Sequence, residues 1–402
     1  MIGSQILQGR RPHSMYLVGA SIIRTGGQFL TVSLITLFLG VEQAGQYVLA
    51  MAIAAPIFVF TGLGINSTFF TLKVPLAMSG YERALLFSYS AGALATGVLT
   101  AFVAPNLLGI VALVCLLKAL DGLSDLYALT LQRHGQYRAV LTLAAERTAV
   151  YLIPTALALV LWRNLVLALF ITAVASGVFV LARNRSLAHR LERTHPVTGP
   201  GEAANGWHRA MTSGLQVGAG DAIASLATAI PQYLLSYYLG AAALVPFTYA
   251  TYILVAIEMV LNARILIWMK RAQQQRQPVV GEYVRTLAIV LPLGALGILG
   301  VILLFKALNL EPLFTEPWAW VAVAGAAVVL PAVYLANAVL LRKNKYHWTI
   351  VVSVAAAAAL FLCGVLIIPQ WAVTGALLTV VCGAVVRLFG LLIAGRAWQR
   401  ET

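Results

Sequence analysis

The chain has 402 residues, of which 61% are hydrophobic and 10% charged, and its formal net charge is +14. A composition this apolar, arranged in repeated runs of about 20 residues, excludes an ordinary soluble domain and predicts an all-α membrane protein. The positive charge lies in short loops between the apolar runs. We therefore interpret it as topogenic and facing lipid headgroups, and not as a surface for nucleic acid.

Twelve apolar spans are predicted, each long enough to cross the roughly 30 Å hydrocarbon core as a helix. Of the 27 Lys and Arg residues, 21 fall on the side shared by both termini, two (Arg163 and Lys306) fall on the other side, and four lie inside spans. Positive loops face the cytoplasm, so both termini are predicted to be cytoplasmic. The spans are 15–39, 43–65, 83–103, 107–131, 139–161, 164–182, 210–232, 240–263, 286–305, 317–341, 347–368 and 372–395.

The longest polar segment, 183–209, follows the sixth span and predicts two six-helix lobes, residues 1–195 and 196–402. Because six is even, both lobes insert in the same orientation, which predicts a parallel repeat about a pseudo-twofold axis along the membrane normal. The halves match weakly at an offset of 200, where Leu39-Gly40 lies over Leu239-Gly240. In the seventh span, Gly214 and Gly218 predict a close helix contact.

Nine ionisable residues fall within or just inside the predicted spans. Each costs at least about 2.5–3.5 kcal/mol at a helix centre, so we expect them to face a bundle interior or a water-filled cavity. They are Arg24, Lys118, Asp121, Asp125, Glu146, Arg147, Asp221, Glu258 and Arg387.

Arg24 and Asp221 lie near the middle of the first and seventh spans, which are equivalent helices in the predicted repeat. Two interpretations stay open. Arg24 either binds an anionic group of a substrate or forms an ion pair with Asp221 that stabilises one conformation.

The fourth and fifth spans form a hairpin that turns near His134. Asp121 and Arg147 each lie thirteen residues from that turn, so they are at matching depth and predict a structural ion pair. Lys118 lies deeper and is a candidate to line a cavity. Asp125 is nearer the loop, and we expect it to reach the interface by snorkelling.

The sequence lacks the motifs of a metal site, of a nucleotide-binding loop and of a separate catalytic domain. The six His residues lie in loops or at span edges without the spacing of metal ligands, and no G-x-x-x-x-G-K-[ST] phosphate-binding loop occurs. No large region outside the spans is available for a catalytic domain. We therefore predict no metal, no cofactor and no enzymatic activity.

Two motifs resemble bacterial polysaccharide and O-antigen flippases of the Wzx type, within the multidrug/oligosaccharidyl-lipid/polysaccharide (MOP) exporter superfamily. Leu39-Gly40, Gly45 and Tyr47 resemble the LG-x-x-x-x-G-x-Y element between helices 1 and 2 of those proteins. Residues 131–138, LQRHGQYR, resemble a Q-x-x-G-x-Y-R stretch between helices 4 and 5. The six-plus-six plan agrees with this superfamily along the whole chain.

The resemblance implies alternating-access export of a polyprenyl-pyrophosphate-linked oligosaccharide, from the cytoplasmic to the periplasmic leaflet of the bacterial inner membrane. It also implies a cationic cavity in which Arg24 matches a helix-1 arginine of the group. Gln28 is a candidate for hydrogen bonds to sugar, and Asp221 is assigned to the same cavity. Lys118 and Arg387 are added on depth and charge alone.

The partners expected are the lipid-linked oligosaccharide and membrane lipids, with a polysaccharide polymerase and chain-length proteins as further candidates. A multidrug or organic-cation exporter of the same superfamily stays open as an alternative, and its cavity should be lined by acidic residues. A membrane polysaccharide polymerase or ligase is the other alternative. It would need a sizeable periplasmic loop, whereas the predicted outer loops are short.

Overall fold

The computed structural model describes residues 11–65, 69, 78–194, 206–274, 279–307, 317–342 and 346–399. Within these ranges the backbone is helical apart from short turns, and no strand occurs. The predicted lobe boundary at residues 195 and 196 lies outside the described residues. Packing contacts divide the chain into two compact units, residues 1–225 and 226–402.

The described residues of the first unit form seven helices and the start of an eighth. A 3-10 turn, Pro105–Leu107, precedes α4, and a π-helical segment, Phe179–Asn184, joins α6 to α7. The helices are α1 Arg11–Leu39, α2 Val41–Thr61, α3 Met78–Val103, α4 Leu108–Arg133, α5 Tyr137–Trp162, α6 Leu165–Val178, α7 Arg185–Thr194 and α8 Gly206–Leu239.

The described residues of the second unit form the rest of α8 and four further helices. They are α9 Leu244–Gln274, α10 Val279–Ala307, α11 Pro317–Arg342 and α12 Tyr346–Gln399. α12 is 54 residues long, and Ala372 interrupts it with a non-helical backbone (φ 48°, ψ −127°). Two predicted spans, 347–368 and 372–395, therefore lie on either side of one break.

Ten stretches among the described residues are long and apolar enough to cross a membrane, which makes this a multi-pass membrane protein. The last of them, Ile350–Gly395, is 46 residues long, about twice the length that one crossing needs. The seventh predicted span lies within α8, which is not among the ten. The count of twelve spans stays a prediction.

The close contact predicted at Gly214 and Gly218 joins α8 to the end of α2. A Cβ atom on Gly214 would lie 2.6 Å from the Cβ of Leu63, and one on Gly218 would lie 2.7 Å from the carbonyl oxygen of Phe60. The two backbones approach this closely because neither glycine has a side chain. The first part of α8 thus packs with the first unit, which places the division at residue 225.

The Leu-Gly match between the two halves corresponds to two turns of the same geometry. Gly40 (φ 86°, ψ 175°) follows α1 and Gly240 (φ 82°, ψ 174°) follows α8. Each donates its backbone N–H to the carbonyl four residues earlier, in Thr36 and Ser236, at 3.0 Å. This region of backbone space is essentially restricted to glycine. The two halves therefore share a conformational requirement at equivalent positions.

The contact between α1 and α5 organises the first unit. A Cβ atom on Gly27 would lie 2.7 Å from Cγ2 of Thr148, so the absence of a side chain at Gly27 sets how closely the helices approach. An apolar cluster extends this contact toward the end of the bundle where α4 joins α5, here called the basic end. The cluster consists of Ala20, Leu131, Val140 and Leu143, with Leu187 and Leu191 of α7 packed against it.

Gly27→Ala should destabilise the protein by about 1–3 kcal/mol, because Thr148 or the helix must shift to admit the methyl group. Gly26→Ala is the matched control, since nothing lies within 4 Å of a Cβ atom at Gly26. Alanine also favours a helix over glycine by up to about 1 kcal/mol, so the control should be neutral or slightly stabilising. Thermal unfolding in detergent measures both; equal shifts would contradict the packing argument.

Candidate functional site: an ionic cluster in the first unit

Helix α4 presents three ionisable side chains along one face. Lys118, Asp121 and Asp125 stand at i, i+3 and i+7, so they follow one another up the helix. Neighbouring side chains such as Leu117 and Leu126 are buried in the apolar core of the unit. Isolated charges at this depth would be costly, so the polar face requires partners from adjacent helices.

Arg147 of α5 contacts both carboxylates. Its Nη2 is in contact with Oδ1 of Asp121, and its Nη1 lies 3.1 Å from Oδ1 of Asp125. The α4–α5 hairpin brings Asp121 and Arg147 together at the matching depth that their distance from His134 predicts. Asp125 also belongs to this contact, whereas the sequence led us to expect it at the interface.

Arg24 of α1 joins the same group through Asp125. Its Nη1 lies 2.8 Å from Oδ1 of Asp125, the oxygen that Arg147 also contacts. The Arg24 side chain is 43% exposed and that of Arg147 only 15%. The pairing of Arg24 with Asp221, one of the two interpretations left open, is not seen. Asp221 is exposed on α8 and has no ion pair with any residue of the described ranges.

We call Arg24, Lys118, Asp121, Asp125 and Arg147 the ionic cluster. Three cations and two carboxylates give it a formal net charge of +1. Lys118 interacts electrostatically with the other four members, but within the described ranges it forms no ion pair of its own. The cluster therefore carries one positive charge that its own carboxylates do not balance.

Two neighbouring features surround the cluster. Gln28 is partly buried one turn after Arg24, so it follows Arg24 on the same face of α1. Tyr47, part of the motif between the first two helices, has its hydroxyl 3.3 Å from that of Tyr151, one turn after Arg147. The motif tyrosine thus links α2 to the helix that holds Arg147.

Arg387 lies in the second unit. Its Nε is buried and has no hydrogen-bond partner in the described part of the chain. Glu258 of α9 interacts with its charge and is hydrogen-bonded to Tyr334 of α11. Sequence analysis placed Glu258 among the nine ionisable residues of the predicted spans but did not pair it with Arg387.

Glu82 of α3 is the polar centre that sequence reasoning missed. Its side chain is only 10% exposed and contacts three groups: Tyr127 Oη at 3.0 Å, Arg185 Nε at 2.8 Å and His189 Nε2 at 3.3 Å. It lies one residue before the third predicted span, beside Arg83, where the sequence gives no reason to single out a charged residue. Its partners come from α4 and α7, and nothing in the local sequence indicates them.

Comparison with known proteins places the fold. No family model and no curated protein matches the sequence. The inward closed conformation of the lipid II flippase MurJ is similar in structure, with a TM-score of 0.67 and 11% identity over 95% of this chain and 87% of that one. The outward-facing conformation of a MATE family multidrug resistance transporter of the MOP superfamily is also similar. Its TM-score is 0.60 and its sequence identity 13%, over 100% of both chains.

A third similar structure is a MOP superfamily transporter from Pyrococcus furiosus, described as having a binding pocket of reverse polarity. It gives a TM-score of 0.64 and 14% identity over 96% of this chain and 95% of that one. This chain therefore has the fold of MOP superfamily transporters. Identities this low establish the fold alone, and a place in the Wzx-type branch stays a prediction.

The ion pair between Asp121 and Arg147 should couple the two residues by roughly 2 kcal/mol in a double-mutant cycle, because both side chains are largely buried. Glu146 and Arg183 supply a matched control, since they are 3.3 Å apart with side chains 34% and 56% exposed. An exposed pair contributes about 0.5 kcal/mol.

The measurement is unfolding of Asp121→Asn, Arg147→Gln and the double variant, with Glu146→Gln and Arg183→Gln as the second cycle. Coupling no larger for the buried pair than for the exposed one would contradict a structural role for Asp121 and Arg147.

Proposed function

We propose that this protein is a flippase for a lipid whose headgroup is a diphosphate-linked oligosaccharide. It moves that headgroup from the cytoplasmic to the periplasmic leaflet of a bacterial inner membrane by alternating access, with both of its own termini in the cytoplasm. The observation that carries the proposal is the position of Arg24. It is a partly exposed guanidinium, ten residues into a membrane span, in a cluster with a net charge of +1.

The chemistry of the headgroup explains why this charge is useful. The polyprenyl tail can stay in the bilayer while only the diphosphate and sugars cross, so the diphosphate charge dominates the cost of crossing. A guanidinium can bind phosphate oxygens through two parallel hydrogen bonds, whereas an ammonium acts as a point charge. Arg24 is the binding residue in this scheme, Lys118 adds positive charge, and Gln28, one turn after Arg24, is proposed to hydrogen-bond the first sugar.

Asp125 makes the binding an exchange of partners. Without substrate, Asp125 neutralises Arg24 at 2.8 Å. An arriving diphosphate takes its place on Arg24, and Asp125 keeps its contact with Arg147 at 3.1 Å. Arg24 and Arg147 each keep an anionic partner in both states, so neither guanidinium incurs the desolvation penalty of an unpaired charge.

The fold supports transport without deciding the substrate, because a lipid II flippase and MATE multidrug exporters both have it. The net positive charge of the ionic cluster favours an anionic substrate, since its cations outnumber its carboxylates. Export of an organic cation is the second candidate, favoured by Asp221, an exposed carboxylate within α8. Arg387 stays a candidate residue within the second unit, and a polysaccharide polymerase and chain-length proteins act after the flippase in this proposal.

Arg24→Ala should abolish surface polysaccharide in cells that lack the native gene, with the protein still present in the membrane at a normal level. Asp125 retains Arg147 in this variant, so no carboxylate is left unpaired and folding should survive. Arg24→Lys should retain part of the display, and Asp221→Asn should have a milder effect. The readout is surface glycan scored against membrane protein level.

Arg183→Ala is the matched control, because it removes an exposed arginine whose ion pair with Glu146 is long at 3.3 Å. Full glycan display by Arg24→Ala would reduce Arg24 to a structural partner of Asp125. Loss of resistance to organic cations in Asp221→Asn, with glycan display intact in Arg24→Ala, would establish the second candidate instead.

A further inference from the structure

Helix α7 extends the sixth span beyond the hydrocarbon core. The stretch Leu165–Thr194 is continuous and 30 residues long, or about 45 Å at 1.5 Å per residue, against a core of about 30 Å. It begins just after Trp162, and about 20 residues bring the chain across to Arg185. The ten residues of α7 therefore lie at the level of the lipid headgroups at the basic end.

The two faces of α7 differ in character. Leu187 and Leu191 pack against the apolar cluster of α1, α4 and α5, which fixes the helix to the bundle. The other face lines a cavity of about 340 Å³. The lining residues are Leu181, Arg185, Ser186, His189, Arg190 and Arg193, and we call the cavity the α7 pocket.

Glu82 orients the cationic lining from behind. It contacts Arg185 through Nε at 2.8 Å, and Arg185 also lines the pocket. It also lies 3.3 Å from Nε2 of His189 and accepts a hydrogen bond from the buried Tyr127. Because Glu82 is only 10% exposed and has three partners, it holds Arg185 and His189 in fixed positions.

Arg190 and Arg193 complete the pocket and are exposed, and neither has an ion pair with a residue in the described ranges. Three arginines against one carboxylate leave a formal charge of +2 before His189 is counted. Leu181, whose surface is 52% exposed, lies at the apolar rim. A ligand that matches this lining has an anionic group at headgroup level and an apolar chain beside Leu181.

We propose that the α7 pocket binds the phosphate of an anionic phospholipid in the leaflet at the basic end. Arginine recognises phosphate oxygens through paired hydrogen bonds, and basic pockets at this depth suit anionic headgroups. The phospholipid's acyl chain accounts for the apolar rim, which a free phosphate would leave uncovered. The pocket shares no residue with the ionic cluster, so this site does not depend on the proposed transport function.

Native mass spectrometry of the full-length protein in detergent tests the site, with phosphatidylglycerol and phosphatidylcholine of identical acyl chains as probes. Phosphatidylglycerol should be retained preferentially. Arg190→Gln/Arg193→Gln should weaken its binding about 25-fold, since each arginine near an anionic headgroup contributes a factor of about five. Arg83→Gln/Arg138→Gln removes two other exposed arginines outside the pocket and should leave most of the binding intact.

The Glu82→Gln variant distinguishes a role of Glu82 in orienting Arg185 from an effect of the net charge of the pocket alone. Removing a negative charge would strengthen phosphatidylglycerol binding if only net charge mattered, whereas loss of the group that orients Arg185 should weaken it several-fold. Equal losses in the two arginine double variants would overturn the site. So would equal retention of the two lipids, displacement of phosphatidylglycerol by millimolar inorganic phosphate, or tighter binding in Glu82→Gln.

Discussion

A single carboxylate oxygen, Oδ1 of Asp125, is shared by Arg24 at 2.8 Å and Arg147 at 3.1 Å, and it joins α1, α4 and α5. Charges taken out of water cost several kcal/mol each unless a partner of opposite sign is within reach. The three helices that contribute these residues must therefore meet at this depth. Gly27 permits that meeting, because its missing side chain lets α1 approach Thr148, the residue after Arg147.

The two arginines that share Asp125 differ in how many carboxylate partners they have and in how exposed they are to solvent. Arg147 is 15% exposed and is held by two carboxylates, so removing one still leaves it neutralised. Arg24 is 43% exposed and pairs with one carboxylate among the described residues, so in the proposed function it exchanges that partner for the diphosphate at little desolvation cost. In that proposal the structural and binding roles separate along the network, with Arg147 holding the helices together and Arg24 binding the incoming group.

The contacts that could be predicted from the sequence are those between residues close together in the chain. Asp121 and Arg147 flank one hairpin, so counting residues from His134 was enough to place them at one depth. The match between the glycines at residues 40 and 240 was visible in the sequence for a similar reason. A turn with this backbone conformation requires glycine, so the residue type itself marks the turn. The pairing of Arg24 with Asp125 spans 101 residues and depends on how α1 packs against the hairpin, which no spacing encodes. Glu82 was missed for the same reason, because its contact with His189 spans 107 residues.

The π-helical segment Phe179–Asn184 explains why the partners of Glu82 are hard to foresee. A π turn alters the phase of a helix, so the face of α7 cannot be extrapolated from the face of α6. Asn184, fully buried, anchors this turn by donating from Nδ2 to the hydroxyl of Ser124 at 2.8 Å.

The two carboxylates at the centres of these networks act alike but at different depths. Asp125 and Glu82 each contact an arginine and leave the surrounding group of charges net positive, and in the two proposals each therefore prepares a site for an anion. The two carboxylates differ in whether a ligand can replace one of their partners. Glu82 is 10% exposed and has three partners, which favours a permanent arrangement suited to a resident lipid. Asp125 is 19% exposed and lies between a buried and an exposed arginine, so one of its two contacts can yield. A transported headgroup requires the second arrangement, because a site that never releases its ligand cannot complete a transport cycle.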